Sequence, residues 1–313
     1  MDNAQIIFIV GCPRSGTTLL RDLLIADDRV AIPDEELQVV PKLIMHLNDN
    51  SYDKLISLLK RSPYGHFNPD FNFDGIRVDG QQLQQKWVSL FSQLTFNKNA
   101  SFYGEKTPEN YQYFDLLIDQ FPTAKFLFVT RDPRDVVMSM RSAWGKSYLL
   151  ALKKWKGANK QRQIYSSRAD IYTVVYEELL ENSDKVVKQI GEWLGCERLN
   201  EVALNNFVQS REVYGDSQGM KGIVSSNRKK YYKSCPKFVH FSIEYLSRDE
   251  MYDLNYQQDF VGMNYILLSW FYFYSIYDVP ASFLRTVLAQ IKHKGLINGL
   301  KYKTKQILNK YGY

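Results

Sequence analysis

An apolar run at residues 6–10 (IIFIV) leads without interruption into Gly11-Cys12-Pro13-Arg14-Ser15-Gly16-Thr17-Thr18, after which Leu19, Leu20, Leu23 and Leu24 repeat at helical spacing. A short apolar run bounded by glycine is the pattern of a strand buried on both faces, and the leucines share one face of a helix that Ser15 can cap. A strand buried on both sides has to be covered by helices on both sides, so this opening commits the chain to an α/β architecture. The same order recurs twice. Residues 125–129 (KFLFV) run into TRDPRD and a helical pattern of Val136, Val137, Met140 and Trp144; residues 171–176 (IYTVVY) precede Ser183 as an N-cap, then Val186, Val187, Ile190, Trp193 and Leu194, with Gly195 as the stop. The expected fold is a mostly parallel sheet with helices on both faces and its ligand beyond the carboxyl ends of the strands. With 313 residues, 45% of them hydrophobic, the chain can bury one substantial core. No repeat, low-complexity tract or linker divides residues 1–265, and residues 266–313 read as a helical extension.

The glycine turn is built for an anion. Its backbone N–H groups and the dipole of the following helix favour negative charge, and Arg14, Thr17 and Thr18 add a cation and two hydroxyl donors. The spacing of Gly11 and Gly16 is that of a nucleotide-triphosphate loop, but Thr17 stands where such a loop needs its lysine. The second strand ends in Thr130-Arg131-Asp132, so a cation follows it where a magnesium-binding acid would be expected. The loop is therefore of P-loop type without the marks of an ATP site. A P-loop phosphotransferase or kinase of a small substrate is the alternative reading.

Five segments in order, GCPRSGTTLLRDLL, IPDEE, GEKTPEN, FLFVTRDPRDVVMSM and VVYEELLEN, resemble the sulfotransferases that use 3′-phosphoadenosine 5′-phosphosulfate (PAPS). The spacing is close to that of the bacterial and tyrosylprotein members, and the resemblance covers about residues 6–265. It implies a P-loop fold, PAPS as donor, 3′,5′-diphosphoadenosine (PAP) as product and no metal. It implies that Arg14, Ser15, Gly16, Thr17 and Thr18 hold the 5′-phosphosulfate and that Arg131 and Ser139 hold the 3′-phosphate. It further implies that Lys106 and Arg14 stabilise the transferring group. Tyr176 matches a residue packed near the adenine, and as the end of a buried strand it reads equally as core. The catalytic base falls on Glu35, or on Glu36 if the register moves by one residue. None of the four histidines lies in a motif. Ser226, Arg228 and Lys229 fall in a basic segment, residues 222–233, where the family closes over the nucleotide. The acceptor is a hydroxyl on a carbohydrate, a lipid-linked glycan, a small alcohol or a peptide tyrosine. Residues 38–99, where its specificity belongs, carry no decisive motif.

Charge is unevenly placed. No acidic residue occurs from 279 to 313, where Arg285 and six lysines give +7; against a total of +6, the remaining residues carry −1. Phe283, Leu284, Val287, Leu288 and Ile291, then Leu296, Ile297, Leu300, Ile307 and Leu308, repeat among these cations. Such a segment either packs on the catalytic domain with lysines outward or makes peripheral contact with an anionic membrane. Aromatic and basic residues do not interleave as in a nucleic-acid module, so no nucleic-acid partner is expected. Cys12, Cys196 and Cys235 have no metal or redox spacing and read as free thiols, and residues 1–10 do not form a secretory signal. The expected location is cytoplasmic, with or without membrane contact.

Overall fold

The computed structural model describes residues 4–196 and 229–294. Ser226 and Arg228, and the apolar positions from Leu296 onward, lie outside the described residues. The chain comprises two compact units, one holding Met1–Arg131 and Ala158–Ser225, the other Asp132–Gly157 and Ser226–Tyr313.

The first unit is built on five strands: β1 (Gln5–Gly11), β2 (Val30–Ala31), β3 (Phe102–Lys106), β4 (Lys125–Thr130) and β5 (Ile171–Val175). Every pairing is parallel and the order is β2-β3-β1-β4-β5. Successive side chains of a strand point to opposite faces, and here the two faces differ in composition. Ile7, Ile9, Leu127, Val129 and Val174 pack against α1 (Thr17–Leu24), α9 (Tyr176–Glu181) and α10 (Ser183–Leu194). On the other face Phe8 stacks on Phe126 at 5.4 Å between ring centres and meets Trp87 of α5 (Leu83–Leu94) edge-on, while Phe114 of α6 (Phe114–Gln120) meets Phe126. Between β2 and α5 the chain makes α2 (Val40–Asn48), α3 (Tyr52–Arg61) and the short α4 (Pro63–Phe67). The parallel sheet covered on both faces is the architecture that the recurring strand–turn–helix units predict.

Three local expectations are corrected. Ser15 does not cap α1: the N-cap is Gly16, in the left-handed region at φ 99°, with no side-chain hydrogen bond. β5 ends at Val175 and Tyr176 opens α9; likewise Ser183 is the first residue of α10, preceded by Asn182 as N-cap. The sequence pattern also passes over β2 and β3. β3 reads FYGEK, with a glycine and two charges where a buried strand is expected to be apolar, yet all five residues are buried.

In the second unit α7 (Pro133–Trp144) starts where Asp132 accepts from the Arg134 N–H and Pro133 fixes the first helical φ. It stops at Gly145, which takes the left-handed C-cap conformation. α8 (Tyr148–Tyr165) follows, its residues up to Gly157 belonging to this unit, which continues through α11 (Lys237–Leu246), α12 (Arg248–Asp253) and α13 (Tyr265–Lys294). α13 is one helix of 30 residues. Its buried Asp278 accepts from Arg141 at 2.5 Å, Arg285 at 2.7 Å and the Tyr148 N–H at 3.1 Å.

Candidate functional site

The loop after β1 ends on α1, an eight-residue helix with no acid in its first turn. Its first acceptor is the Gly16 carbonyl, bonded by Leu20 N–H, so the N–H groups of Thr17, Thr18 and Leu19 precede the helical ladder. The Ser15 N–H is spent inside the loop on the Cys12 carbonyl. Arg14 sits at φ 71°, a conformation a non-glycine residue keeps only when its surroundings hold it. One such support is Arg131, whose Nη1 donates to the Arg14 carbonyl at 3.3 Å. The Arg131 guanidinium lies over the Tyr176 ring, 4.5 Å from its centre. That ring in turn lies against Gly16, where an added Cβ would come within 2.2 Å of Tyr176 Cδ2. Gly16, Arg14, Arg131 and Tyr176 therefore form one packed support beneath the loop. Tyr176 is 3% exposed and belongs to the hydrophobic core.

Lys106, the last residue of β3, is buried and joins the loop to the acidic turn after β2. Its Nζ donates to Thr18 Oγ1 at 3.3 Å and to Glu36 Oε1 at 2.7 Å. Glu36 also accepts from Gln38 Nε2 at 2.8 Å through its second oxygen. Glu35 is half-buried, and that burial pushes its carboxyl above the ordinary range although Lys106 and Arg21 pull it back. The two glutamates thus differ in setting: Glu36 is bonded to the lysine, whereas Glu35 feels it at longer range.

The turn itself is held by a residue the sequence does not single out. Glu105 is fully buried and accepts from the Leu37 N–H at 3.2 Å, from Asn110 Nδ2 at 2.6 Å and from the Thr107 hydroxyl. Thr107 Oγ1 accepts from the Gln38 N–H at 3.2 Å. Burial pushes the Glu105 carboxyl up to about 7 against the opposing pull of these donors. Glu105 and Asn110 both lie in GEKTPEN, and the only trace of their role is that so polar a segment closes a buried strand.

The residues expected at a phosphate are thus gathered in one place as far as Arg14, Ser15, Gly16, Thr17, Thr18, Lys106, Arg131 and Tyr176 are concerned. Ser139 is half-buried on α7, in the second unit. The set fits an anionic phosphoester: Lys106 reaches Thr18 in the first turn of α1, Arg131 reaches the loop at Arg14, and the fully buried Ser15 Oγ has no hydrogen-bond partner among the described residues. His240, Glu244 and Asp259 bring ligand atoms within 4.8 Å of one another, but Arg134 Nη1 already donates to Glu244 Oε1 at 2.5 Å and lies 3.5 Å from Asp259 Oδ2. A guanidinium occupies the place of the cation. Cys12, Cys196 and Cys235 form no disulfide with one another.

A profile described as the sulfotransferase family matches residues 6–201. Among curated relatives, protein-tyrosine sulfotransferase 1 of Rattus norvegicus is 30% identical over 142 residues, which are 45% of this chain and 35% of that protein. The chain spans about a third of the length of the curated relatives it matches. Among solved structures, the sulfotransferase domain of the Synechococcus PCC 7002 olefin synthase superposes with a TM-score of 0.57 at 19% identity, covering 82% of this chain and 96% of that one. The sulfotransferase domain from the curacin biosynthetic pathway gives 0.52 at 17% identity, covering 81% and 98%. These two likenesses bear on the fold.

Proposed function

The chain belongs to the sulfotransferase family, and on that premise we propose that it moves the sulfonyl group of PAPS to a hydroxyl acceptor and releases PAP. The observation that carries this reading is the position of Lys106 Nζ, in reach of both the phosphate loop at Thr18 and the acidic turn at Glu36. PAPS, when bound, supplies an activated sulfonyl group. As the acceptor oxygen bonds to sulfur, the bond from sulfur to the 5′-phosphate oxygen breaks and the acceptor's proton passes to a base. Such an in-line displacement needs placement and charge stabilisation above all. Arg14, Thr17, Thr18 and the α1 N–H groups neutralise the departing phosphate, with Ser15 and Gly16 shaping the loop. Lys106 donates to the oxygen on which charge accumulates. Arg131 and Ser139 bind the 3′-phosphate, a guanidinium and a hydroxyl being suited to it.

Glu35 takes the acceptor's proton. Its raised carboxyl favours taking up a proton, and Glu36 is already engaged by Lys106 and Gln38. No metal takes part, because the cations and helix N–H groups already supply the positive charge a magnesium ion would bring.

The test is calorimetry with PAP and with 5′-AMP. Wild type should bind PAP far more tightly, and Arg131→Ala should lose roughly 10- to 100-fold for PAP beyond any loss for AMP, the range a charge-assisted contact gives. Because Arg131 also supports the Arg14 carbonyl, the ratio of the two ligands is the readout. Equal binding of both by wild type would overturn the assignment. The acceptor itself, carbohydrate, lipid-linked glycan, small alcohol or peptide tyrosine, follows from a screen with labelled PAPS read by mass.

A further inference from the structure

Helix α13 carries its polarity reversed. A surface helix ordinarily turns its apolar stripe inward and its polar residues to solvent. Here the buried positions are Phe271, Ser275, Asp278 and Ser282, at helical spacing, so one aromatic ring, two hydroxyls and a carboxylate face the protein. The outward face carries Ile266, Trp270, Phe273, Ile276, Tyr277 and Leu284, each more than half exposed. Val261 and Met263, just ahead of the helix, are exposed too. The inward polar groups are satisfied: Asp278 by Arg141, Arg285 and the Tyr148 N–H, Ser275 by the Phe271 carbonyl and Ser282 by the Val279 carbonyl. The inner face is therefore a finished interface. A continuous apolar outer face of this size is a contact surface for something else.

Charge identifies the occupant. Asp278 is the only acid in α13, and it is buried and paired inward. The face is followed by Lys292, Lys294, Lys301, Lys303, Lys305 and Lys310 with no acid after Asp278, while residues ahead of 279 sum to −1. Two copies meeting in parallel through this face would bring two such cationic segments together without counter-charge. An anionic lipid surface supplies it. Tryptophan and tyrosine are the aromatic residues suited to the lipid–water boundary, each offering an apolar ring with one polar atom. The helix, about 45 Å long at 1.5 Å per residue, is too interrupted to cross: no described helix is long and apolar enough to span a membrane. We propose that the outer face of α13 lies in the plane of an anionic lipid surface, with its aromatic and aliphatic side chains at the headgroup level.

The test uses the whole protein and vesicles of phosphatidylcholine with or without phosphatidylglycerol. Wild type should co-sediment with the anionic vesicles at least about tenfold more strongly than with the neutral ones, and high salt should weaken that binding. Ile266→Asp with Phe273→Asp, both at exposed positions, should reduce it by roughly tenfold or more while leaving PAP binding unchanged. A second readout needs no charge insertion: brominated anionic lipid should quench wild-type tryptophan fluorescence, and Trp270→Tyr should remove most of the quenching. Equal weak binding to both vesicle types, binding unaffected by the double substitution, or a dimer that the double substitution dissolves without any vesicle binding would each overturn the proposal.

Discussion

Glu35 and Glu36 are adjacent in the chain and separated by their surroundings, and the first prediction follows from that. Glu35→Gln keeps the shape and removes the proposed proton acceptor, so turnover should fall by about 10²- to 10⁴-fold with PAP affinity retained, as single-turnover and binding measurements would show. Glu36→Gln removes the partner of Lys106 and should alter PAP affinity as well. Because Glu35, as the proposed base, must be ionised to act and burial lifts its carboxyl, wild-type kcat/KM should rise with pH through a midpoint above the ordinary glutamate value of 4.5. Glu105 gives the opposite pH dependence, in stability. Its folded value near 7 exceeds the unfolded 4.5, so the folded protein holds this proton more tightly. Stability from this group is full below about pH 4.5 and is lost as pH rises to about 7. Glu105→Gln should flatten that part of a melting-temperature profile, the amide being accommodated by a flip of Asn110. In the sequence, Lys106 and the glutamate pair are legible because a cation and an acidic turn stand within polar motifs. Glu105 is not, since a buried carboxylate that only accepts hydrogen bonds leaves no periodic trace.

At the scale of elements, α1 is positioned by what lies under its first residue. Gly16→Ala places a methyl group against the Tyr176 ring and asks a residue with a side chain to hold φ 99°, a conformation that costs about 1–3 kcal/mol by itself. Gly195→Ala is the control. It has a similar φ of 74° at the end of α10 with nothing within 4 Å of the added carbon. Differential scanning calorimetry should find Gly16→Ala the more destabilising of the two, by roughly several degrees, and only that change should weaken PAP binding. β1, β4 and β5 are legible as apolar runs. β3 is not, because it reaches the sheet through Gly104 beside β1 and carries Glu105 and Lys106, whose partners come from the turn at residues 36–38 and from Asn110. Strand propensity describes a side chain meeting an apolar neighbour; these side chains meet polar partners instead, and the Leu37 N–H and Glu36 lie about 70 residues away.

For the whole molecule, the family assignment, the parallel sheet and the reversed helix α13 lead to separate experiments. Excess chelator should leave sulfonyl transfer to any accepted hydroxyl largely intact, measured by product mass, since in the proposed mechanism Arg14, Lys106 and helix N–H groups meet the charge at the departing phosphate. The strand order has a consequence in time. β1 is central, and its partners β3 and β4 lie on either side of it in space but about 90 and 115 residues later in the chain. During synthesis at about 5–20 residues per second, residues 6–10 emerge roughly 5–20 s before the first strand that can pair with them. For that interval a flat, uncharged apolar segment with both edges open is exposed to chaperones and to other nascent chains. Stalled nascent chains should therefore be cleavable near residues 6–10 until β4 has cleared the ribosome and resistant afterwards, a step that brief proteolysis of chains of graded length would locate.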